Sequence, residues 1–549
     1  MKSEARQTGV ALEKLLAGTG IIIPAAGHDL LINGIVADSR QAGPGRLFVA
    51  VKGETVDGHN FLAAAVESGC SAVVVEEKPD DDTCRNLGVP VLVAEDGRRA
   101  VAELAANFYG HPEQEMKLIG ITGTNGKTTT SYILESMVKA GGGNPGVIGT
   151  ISYRYGGREE EAPFTTPEPI MLFRMMREMV DQDVDHLIME VSSHALVQKR
   201  LSGIKFDLAV FTNLSHEHLD FHLDMYRYFE AKSRLFNEYL KNDGVAVVML
   251  SEITESNETD IGWGDKLVDD LLATGRFRQY NDSGEDKGNR LLTCGVKRGD
   301  IYVESAVVSL DGIRAEIVGL GDDVTFESRL VGDFNLLNMA TAMGVGKVLG
   351  LSDRQMARGF GETETVPGRL ERVREESGED FAGMCRVFVD YAHTPDALSG
   401  VLHSVKPLCR GRLLVVFGCG GDRDRVKRPL MGEIAGRLSD VAIITSDNSR
   451  SEEPQLIMAE IERGLLSAAG VLPRSRVSDL LAGGGRGYDI IEARDEAIAA
   501  AIDAAAPEDV VLICGKGHEN YQLVGGQRHF FDDRLEARKF LRMKRGQGC

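Results

Sequence analysis

The eight cysteines of this chain stand apart, at 70, 84, 294, 385, 409, 419, 514 and 549, and form no C-x-x-C. That absence argues against a disulfide framework or a spaced zinc site and points to a reducing compartment. No run of 18 apolar residues occurs, so no segment reads as crossing a membrane. The stretch from Met1 to Leu16 mixes charges of both signs and has no apolar core of a secretion signal. Positive charge is in deficit, with 62 Lys and Arg against 83 Asp and Glu and a formal net charge of −21. Non-specific binding to nucleic acid or to an anionic membrane is thereby disfavoured. The expectation is a cytoplasmic enzyme, monomeric, acting on small molecules, with no nucleic-acid partner and no membrane insertion.

At 549 residues the chain is too long for one core and suggests about three domains. It is organised around the stretch from Lys117 to Thr130. Leu118 to Ile121 reads as a buried strand, and Tyr132, Ile133, Leu134, Met137 and Val138 continue as a helix. Between them lies Gly123-Thr124-Asn125-Gly126-Lys127-Thr128-Thr129, a shorter loop than the strict G-x-x-x-x-G-K-[ST] pattern. Strand, glycine turn and helix cradle phosphate: backbone N–H groups point inward, Lys127 neutralises the outer phosphates, and Thr128 can ligate Mg²⁺. A chance glycine turn with a surface lysine is the bland alternative, and the correctly placed strand and helix argue against it. ATP binding follows.

Elsewhere hydrophobic runs end abruptly in polar clusters. His186–Met189 leads to Glu190-Val191-Ser192-Ser193-His194, and Leu208–Phe211 leads to Thr212–Asp220. Val387–Val389 leads to Asp390 and His393, Leu413–Phe417 to Gly421-Asp422-Arg423-Asp424, Val441–Ile444 to Asp447-Asn448-Ser449-Arg450, and Val510–Ile513 to Gly515–Glu519. Doubly buried parallel strands with helices outside place ligands beyond the carboxyl ends of the strands, where these clusters fall. The fold class is α/β, with domains expected at 1–112, 113–366 and 367–549. Ser251 to Gly299 reads as an exposed polar insertion without chemistry. Leu480 to Arg486 reads as a flexible surface loop within a second insertion, 474–487.

Three features have competing readings. His216, His218, Asp220 and His222 suggest a metal-dependent hydrolase, but Phe221 spoils the H-x-H-x-D-H spacing, so one histidine touching Mg²⁺ is preferred. Glu190 is a helix-capping carboxylate or a magnesium ligand; the buried run before it favours the metal. Lys232 lies on the apolar stripe of Phe229, Leu235 and Phe236. A buried ammonium needs a partner, and a salt bridge is the default.

Together these residues resemble the Mur ligase family, most closely the members that add the third residue of the peptidoglycan stem. The resemblance covers nearly the whole chain. It implies a small N-terminal uridine-binding α/β domain, a central P-loop ATPase domain with a mainly parallel sheet, and a C-terminal Rossmann-like α/β domain. By the same resemblance Ser39, Thr165, Thr166, Ser192 and Arg200 would hold the UDP-N-acetylmuramoyl dipeptide. Gly123, Thr124, Asn125, Gly126, Lys127, Thr128, Thr129, Asn335, Asn338, Arg369 and Asp390 would bind ATP, with His393 beside them. Thr128, Glu190, His218 and Lys232, the last as a CO₂-derived N6-carboxylysine, would face Mg²⁺. Arg423, Asp447, Asn448, Arg450, Gly515 and Glu519 would form the amino-acid pocket. Members using meso-diaminopimelate carry D-N-P-R there, and lysine-adding members lack the arginine, which pairs with a distal carboxylate. Arg450 is present and Ser449 replaces the proline, so diaminopimelate is expected. L-Lysine, a folylpolyglutamate synthetase and an ATP-hydrolysing switch are the alternatives.

Overall fold

The computed structural model describes residues 9–23, 30–53, 56–251, 262–280, 288–467, 473–483 and 485–547. A four-stranded parallel sheet comes first: β1 (Gly34–Val36), β2 (Arg46–Val49), β3 (Ala72–Val75) and β4 (Val91–Val93), in sequence order. Helix α1 (Gly97–Tyr109) packs its Ala100, Val101 and Leu104 face with these strands.

The central sheet has twelve strands. β5 (Lys117–Thr122) is followed by α2 (Lys127–Ala140), β6 (Pro145–Ile148), β7 (Ser152–Tyr155), β8 (Arg158–Glu161), β9 (His186–Glu190) and β10 (Phe206–Phe211). Then come α3 (Met225–Asn237), β11 (Leu240–Met249), α4 (Trp263–Ala273), β12 (Phe277–Gln279), β13 (Asn289–Val296), β14 (Ile301–Ser309), β15 (Gly312–Gly319), β16 (Asp322–Ser328) and α5 (Phe334–Val348). The order is β8-β7-β6-β9-β5-β10-β11-β13-β14-β15-β16, with β12 also on β13. From β6 to β14 neighbours run parallel, and the two edges turn antiparallel. Leu118 packs into the core on one face while Ile119 and Ile121 pack on the other, as a strand period of two requires. No cis peptide occurs among the described residues.

A six-stranded sheet follows, from β17 (Glu371–Arg372), β18 (Arg386–Asp390), α6 (Pro395–Val405), β19 (Leu413–Phe417), α7 (Lys427–Leu438), β20 (Val441–Ile444), β21 (Gly487–Ile490), α8 (Arg494–Ala504) and β22 (Val510–Cys514). Its order is β17-β18-β22-β19-β20-β21, parallel except at β17. A hairpin of β23 (Tyr521–Val524) and β24 (Gln527–Phe530) and the helix α9 (Asp533–Gln547) close the described chain. Among the described residues no helix is long and apolar enough to cross a membrane.

Two expectations are corrected. The stretch expected as an exposed insertion from Ser251 to Gly299 contributes α4, with Leu267 and Leu271 buried, and β13, whose Leu291, Leu292 and Cys294 enter the core. On α4 Asp269 and Asp270 are exposed opposite Leu267 and Leu271, so composition hid an amphipathic helix and a core strand. Residues 252–261 and Asn281 to Asp286 lie outside the described residues. Likewise Leu480 and Leu481 are buried on a short helix, Val477–Ala482, rather than in a surface loop; Gly484 of that stretch is outside the described residues.

Candidate active site

The phosphate-loop residues follow β5 and open α2. Gly123 has φ +146°, and a Cβ there would stand 2.0 Å from Thr212 Oγ1 and 3.0 Å from Asn213 backbone atoms. Gly126 has φ +86°, and a Cβ would meet Asn338 Oδ1 at 2.4 Å. Neither position accepts a side chain without moving the loop. The Thr124 and Asn125 N–H groups donate to Asn213 Oand Oδ1, both at 2.9 Å. Lys127 Nζ donates to the carbonyls of Gly123 (2.9 Å) and Thr124 (2.8 Å), and Thr128 Oγ1 donates to Glu190 Oε2 (3.0 Å). Glu190 is 1% exposed at the end of β9 and also accepts from the Thr150 hydroxyl (2.8 Å) and N–H (3.1 Å).

Lys232 on α3 is 2% exposed. The expected salt bridge is replaced by a hydrogen bond from its Nζ to Gly123 O at 2.7 Å, the carbonyl Lys127 also uses, with the Tyr228 ring 4.6 Å away. Burial, and then the charge of Lys127, push the Lys232 ammonium well below its usual range, against the pull of Glu217. Glu217 lies 3.8 Å from His218 Nε2 and 3.9 Å from His393 Nε2. Burial raises its pKa, but His218, His393, Lys127 and Lys232 more than offset that and keep it ionised. His222 turns away to Ser193 Oγ (2.9 Å), so the histidine group does not converge as a hydrolase centre would.

Opposite the loop stands the start of the C-terminal sheet. A cleft of about 220 Å³ is lined by Thr124 to Thr129, by Phe334, Leu337 and Asn338 of α5, and by Arg369, Asp390, Ala397 and Val401. The Arg369 guanidinium lies 4.8 Å from the Tyr391 ring centre, and its buried Nε has no protein partner. Asp390 accepts from the N–H groups of Leu370 (2.6 Å) and Ala392 (2.8 Å), while burial raises its pKa. His393 Nδ1 is 2.8 Å from Tyr391 O, and burial lowers its pKa. Asn335 is not in the wall: its Nδ2 donates to Val331 O (2.8 Å), and its Oδ1 accepts from Asn338 (2.9 Å). It holds Asn338 from behind.

Beside Glu190, Thr166 Oγ1 donates to Glu190 O (2.9 Å) and accepts from Ser192 N–H (3.0 Å), Arg200 donates to Thr166 O (2.8 Å), and Thr165 Oγ1 lies 3.1 Å from Thr150 Oγ1. Ser39 sits apart, past the end of β1, opening a short 3-10 turn that Asp38 caps.

Three strand ends of the C-terminal sheet meet nearby. Asn448 Nδ2 donates to Glu519 Oε2 (2.8 Å), and Lys516 Nζ is 3.3 Å from the same oxygen. Burial raises Glu519, whereas Arg494 and Lys516 outweigh burial at Asp447 and hold it low. Gly515, at φ +115°, lets the loops touch, since a Cβ would stand 2.5 Å from Asp447 Oδ2. Arg450 Nη1 donates to Gly421 O (2.8 Å), while Arg423 is exposed and reaches Asp422 O (3.2 Å). The Tyr391 ring, 4.6 Å from His393 and 5.2 Å from His518, joins these loops to the cleft.

The descriptions of three domains match this chain: the Mur ligase family catalytic domain over residues 31–109, the Mur ligase middle domain over 121–259 and the Mur ligase glutamate ligase domain over 368–517. The UDP-N-acetylmuramoyl-L-alanyl-D-glutamate–2,6-diaminopimelate ligase of Geobacter metallireducens is 42% identical over 523 residues, 94% of this chain and 96% of its own. The chain belongs to the Mur ligase family. A solved structure of a UDP-N-acetylmuramoyl-L-alanyl-D-glutamate–2,6-diaminopimelate ligase matches with a TM-score of 0.65 and 29% identity, covering 98% of this chain and 99% of that one. The MurF ligase of Thermotoga maritima in complex with ADP shares the fold, with a TM-score of 0.57, 19% identity, and 95% and 100% covered.

In this Mur ligase the strand-end clusters are legible in the sequence, whereas several of their partners are not. Thr150 follows the apolar Val147-Ile148 run and had the same strand-end signal as Glu190. Glu217 was visible inside its histidine-rich cluster, where the histidines drew the metal reading. Phe334 and Leu337 had no signal, because an apolar residue lining a cleft has the same pattern as one in a core.

Proposed function

We propose that this chain is an ATP-dependent ligase that adds meso-2,6-diaminopimelate to UDP-N-acetylmuramoyl-L-alanyl-D-glutamate. The observation that carries this reading is the cleft in which the Gly123–Thr129 loop faces Arg369 and Asp390, with the Asp447–Arg450 and Gly515–Glu519 loops joined to it through Tyr391. The name of the Geobacter metallireducens relative supports the substrate. In this reading residues 1–112 hold the uridine end near Ser39, 113–366 bind ATP and the dipeptide, and 367–549 bind the amino acid. The enzyme is a cytoplasmic monomer working on small molecules.

The dipeptide's terminal carboxylate, held by Thr165, Thr166, Ser192 and Arg200, attacks the γ-phosphorus of ATP and gives an acyl phosphate and ADP. Lys127 leaves the loop carbonyls for the phosphates, and Arg369, whose Nε is unpartnered, reaches them from the other wall. The amine of diaminopimelate, with Arg450 on its distal carboxylate, then attacks the acyl carbon and phosphate departs. The Thr128 hydroxyl and the buried Glu190 carboxylate, 3.0 Å apart at the loop, are hard oxygen donors that fit Mg²⁺, and His218 is the further ligand the family resemblance implies. Mg²⁺ there would offset charge developing on the phosphoryl oxygens. Lys232, whose neutral amine is favoured by burial, could add CO₂ with loss of a proton, and the carbamate anion would supply a further oxygen donor for the metal. Asn335 supports Asn338, and His393 orients Glu217.

The test is mass spectrometry of the product formed from ATP, the UDP-dipeptide and an equimolar mixture of meso-diaminopimelate and L-lysine. A product heavier by one diaminopimelate residue is expected. A lysine adduct alone would contradict the assignment of Arg450.

A further inference from the structure

Arg450 sits in a left-handed backbone conformation, φ +53°, which a branched-out L-residue keeps only where its surroundings impose it. The segment from Ser446 to Arg450 leaves β20 without regular structure of its own. Ser449, where a proline would pre-set the chain, contributes no side-chain bond: its buried Oγ has no partner. What imposes the conformation is the β23–β24 hairpin.

The Arg450 N–H donates to Leu523 O (3.0 Å), and Gly525 N–H donates to Arg450 O (2.8 Å), so the hairpin takes both backbone groups of the arginine. Arg450 and Val524 form a parallel bridge. The Leu523 N–H donates to Asn448 Oδ1 (2.9 Å). Gln522 Nε2 donates twice, to Ser446 Oγ (3.0 Å) and to Asp447 O (3.1 Å). The hairpin is itself fixed. Its turn glycines Gly525 and Gly526 have φ +57° and +76°, as a two-residue turn between twisted strands demands. Arg528 lies 4.1 Å from the Tyr521 ring centre and pairs with Glu161 of β8 at 3.0 Å, tying the hairpin to the central sheet.

We propose that this hairpin is a brace for the amino-acid pocket and that Gln522 is the positioning residue which, through the Ser446 hydroxyl and the Asp447 carbonyl, aims Arg450 at the substrate's distal carboxylate. The inference rests on the ligase reading for the identity of that substrate, and on the hydrogen bonds alone for the brace. Gln522 donates to the Ser446 hydroxyl and the Asp447 carbonyl and acts through Arg450 rather than on the reacting atoms.

The experiment uses the full chain with Gln522→Met, which keeps the side-chain volume and removes both donors, and Gln522→Glu, which keeps the shape and turns the donating amide into an acceptor. Two readouts are taken: amide hydrogen exchange over residues 446–450, and the separate KM values for diaminopimelate, ATP and the UDP-dipeptide. Faster exchange confined to that segment is expected, with KM for diaminopimelate raised about tenfold, an angular misplacement effect, and the other two KM values within about twofold. Unchanged exchange in both variants would overturn the brace. So would a parallel rise in all three KM values with a lowered Tm, the signature of general loosening. If exchange rises while the unmodified protein shows no diaminopimelate-dependent turnover, the brace stands and the substrate assignment falls.

Discussion

Single side chains in the site have one address in the sequence and another partner in space. The spacing of Phe229, Leu235 and Phe236 put Lys232 on the inner face of its helix, and the structure agrees; the carboxylate expected opposite it is instead the Gly123 carbonyl. Periodicity reports a face, whereas a partner 109 residues away is a matter of tertiary packing. If Lys232 works as a carbamate, Lys232→Met lowers turnover at least about 100-fold, and the unmodified enzyme loses activity in CO₂-stripped buffer and regains it with bicarbonate. Full activity of the methionine variant would refute the role. His222 gives a second, pH-dependent expectation. Burial first, then the charges of His194, Lys232 and His218, lower its pKa to about 4 from 6.5. The unfolded chain takes up a proton below pH 6.5 while the folded one does not, so this contribution is complete above pH 6.5 and is lost as pH falls toward 4. Denaturant titrations should show His222→Gln losing less stability than the parent across that window; parallel losses would count against it.

Among elements, the strand–loop–helix from Lys117 to Ala140 was legible because a strand, a glycine turn and a helical period stand side by side in the sequence. What it did not disclose was how tightly the turn is enclosed by Thr212 and Asn213 from the next strand end. With φ +146° and a Cβ 2.0 Å from Thr212 Oγ1, Gly123→Ala is expected to displace the loop, lower the Tm through backbone strain and cut ATP-dependent turnover about 100-fold. Near-normal turnover would mean that the loop tolerates the shift. The β13 strand was missed for the opposite reason: Asn289 and Arg290 precede its apolar run, and the polar stretch before them masked it. The Arg494–Asp533 pair, both side chains fully buried with Arg494 donating to the carbonyls of Ser446 and Cys514, was equally invisible, since nothing local distinguishes a buried arginine from a surface one.

Over the whole molecule, the cleft proposed for the nucleotide lies between two sheets, and several contacts that cross between them among the described residues are polar. Glu217 faces His393 at 3.9 Å, Asp311 at the β14–β15 turn pairs with Arg372 (2.8 Å) and Arg386 (3.2 Å), and the Asp333 N–H donates to Ser404 Oγ (3.0 Å). Leu310 and Val331 are apolar exceptions, both packing into the C-terminal core. A polar seam of this kind opens and closes readily, and in the proposed reading closure would bring Arg369 to the phosphates. Arg369→Ala is therefore expected to lower kcat/KM about 100-fold, and normal turnover would show that the far wall takes no part. That the strands are parallel, with polar clusters beyond their carboxyl ends, was legible in the apolar runs; the order of the strands and the meeting of two domains at one cleft were not, because no local pattern encodes them. The most direct measurement is phosphate release from ATP in the presence of UDP-N-acetylmuramoyl-L-alanyl-D-glutamate with meso-diaminopimelate, with L-lysine, or with no amino acid. Release that depends on diaminopimelate is the expected result. Equal release without any amino acid would contradict a ligase and leave an ATP-hydrolysing protein instead.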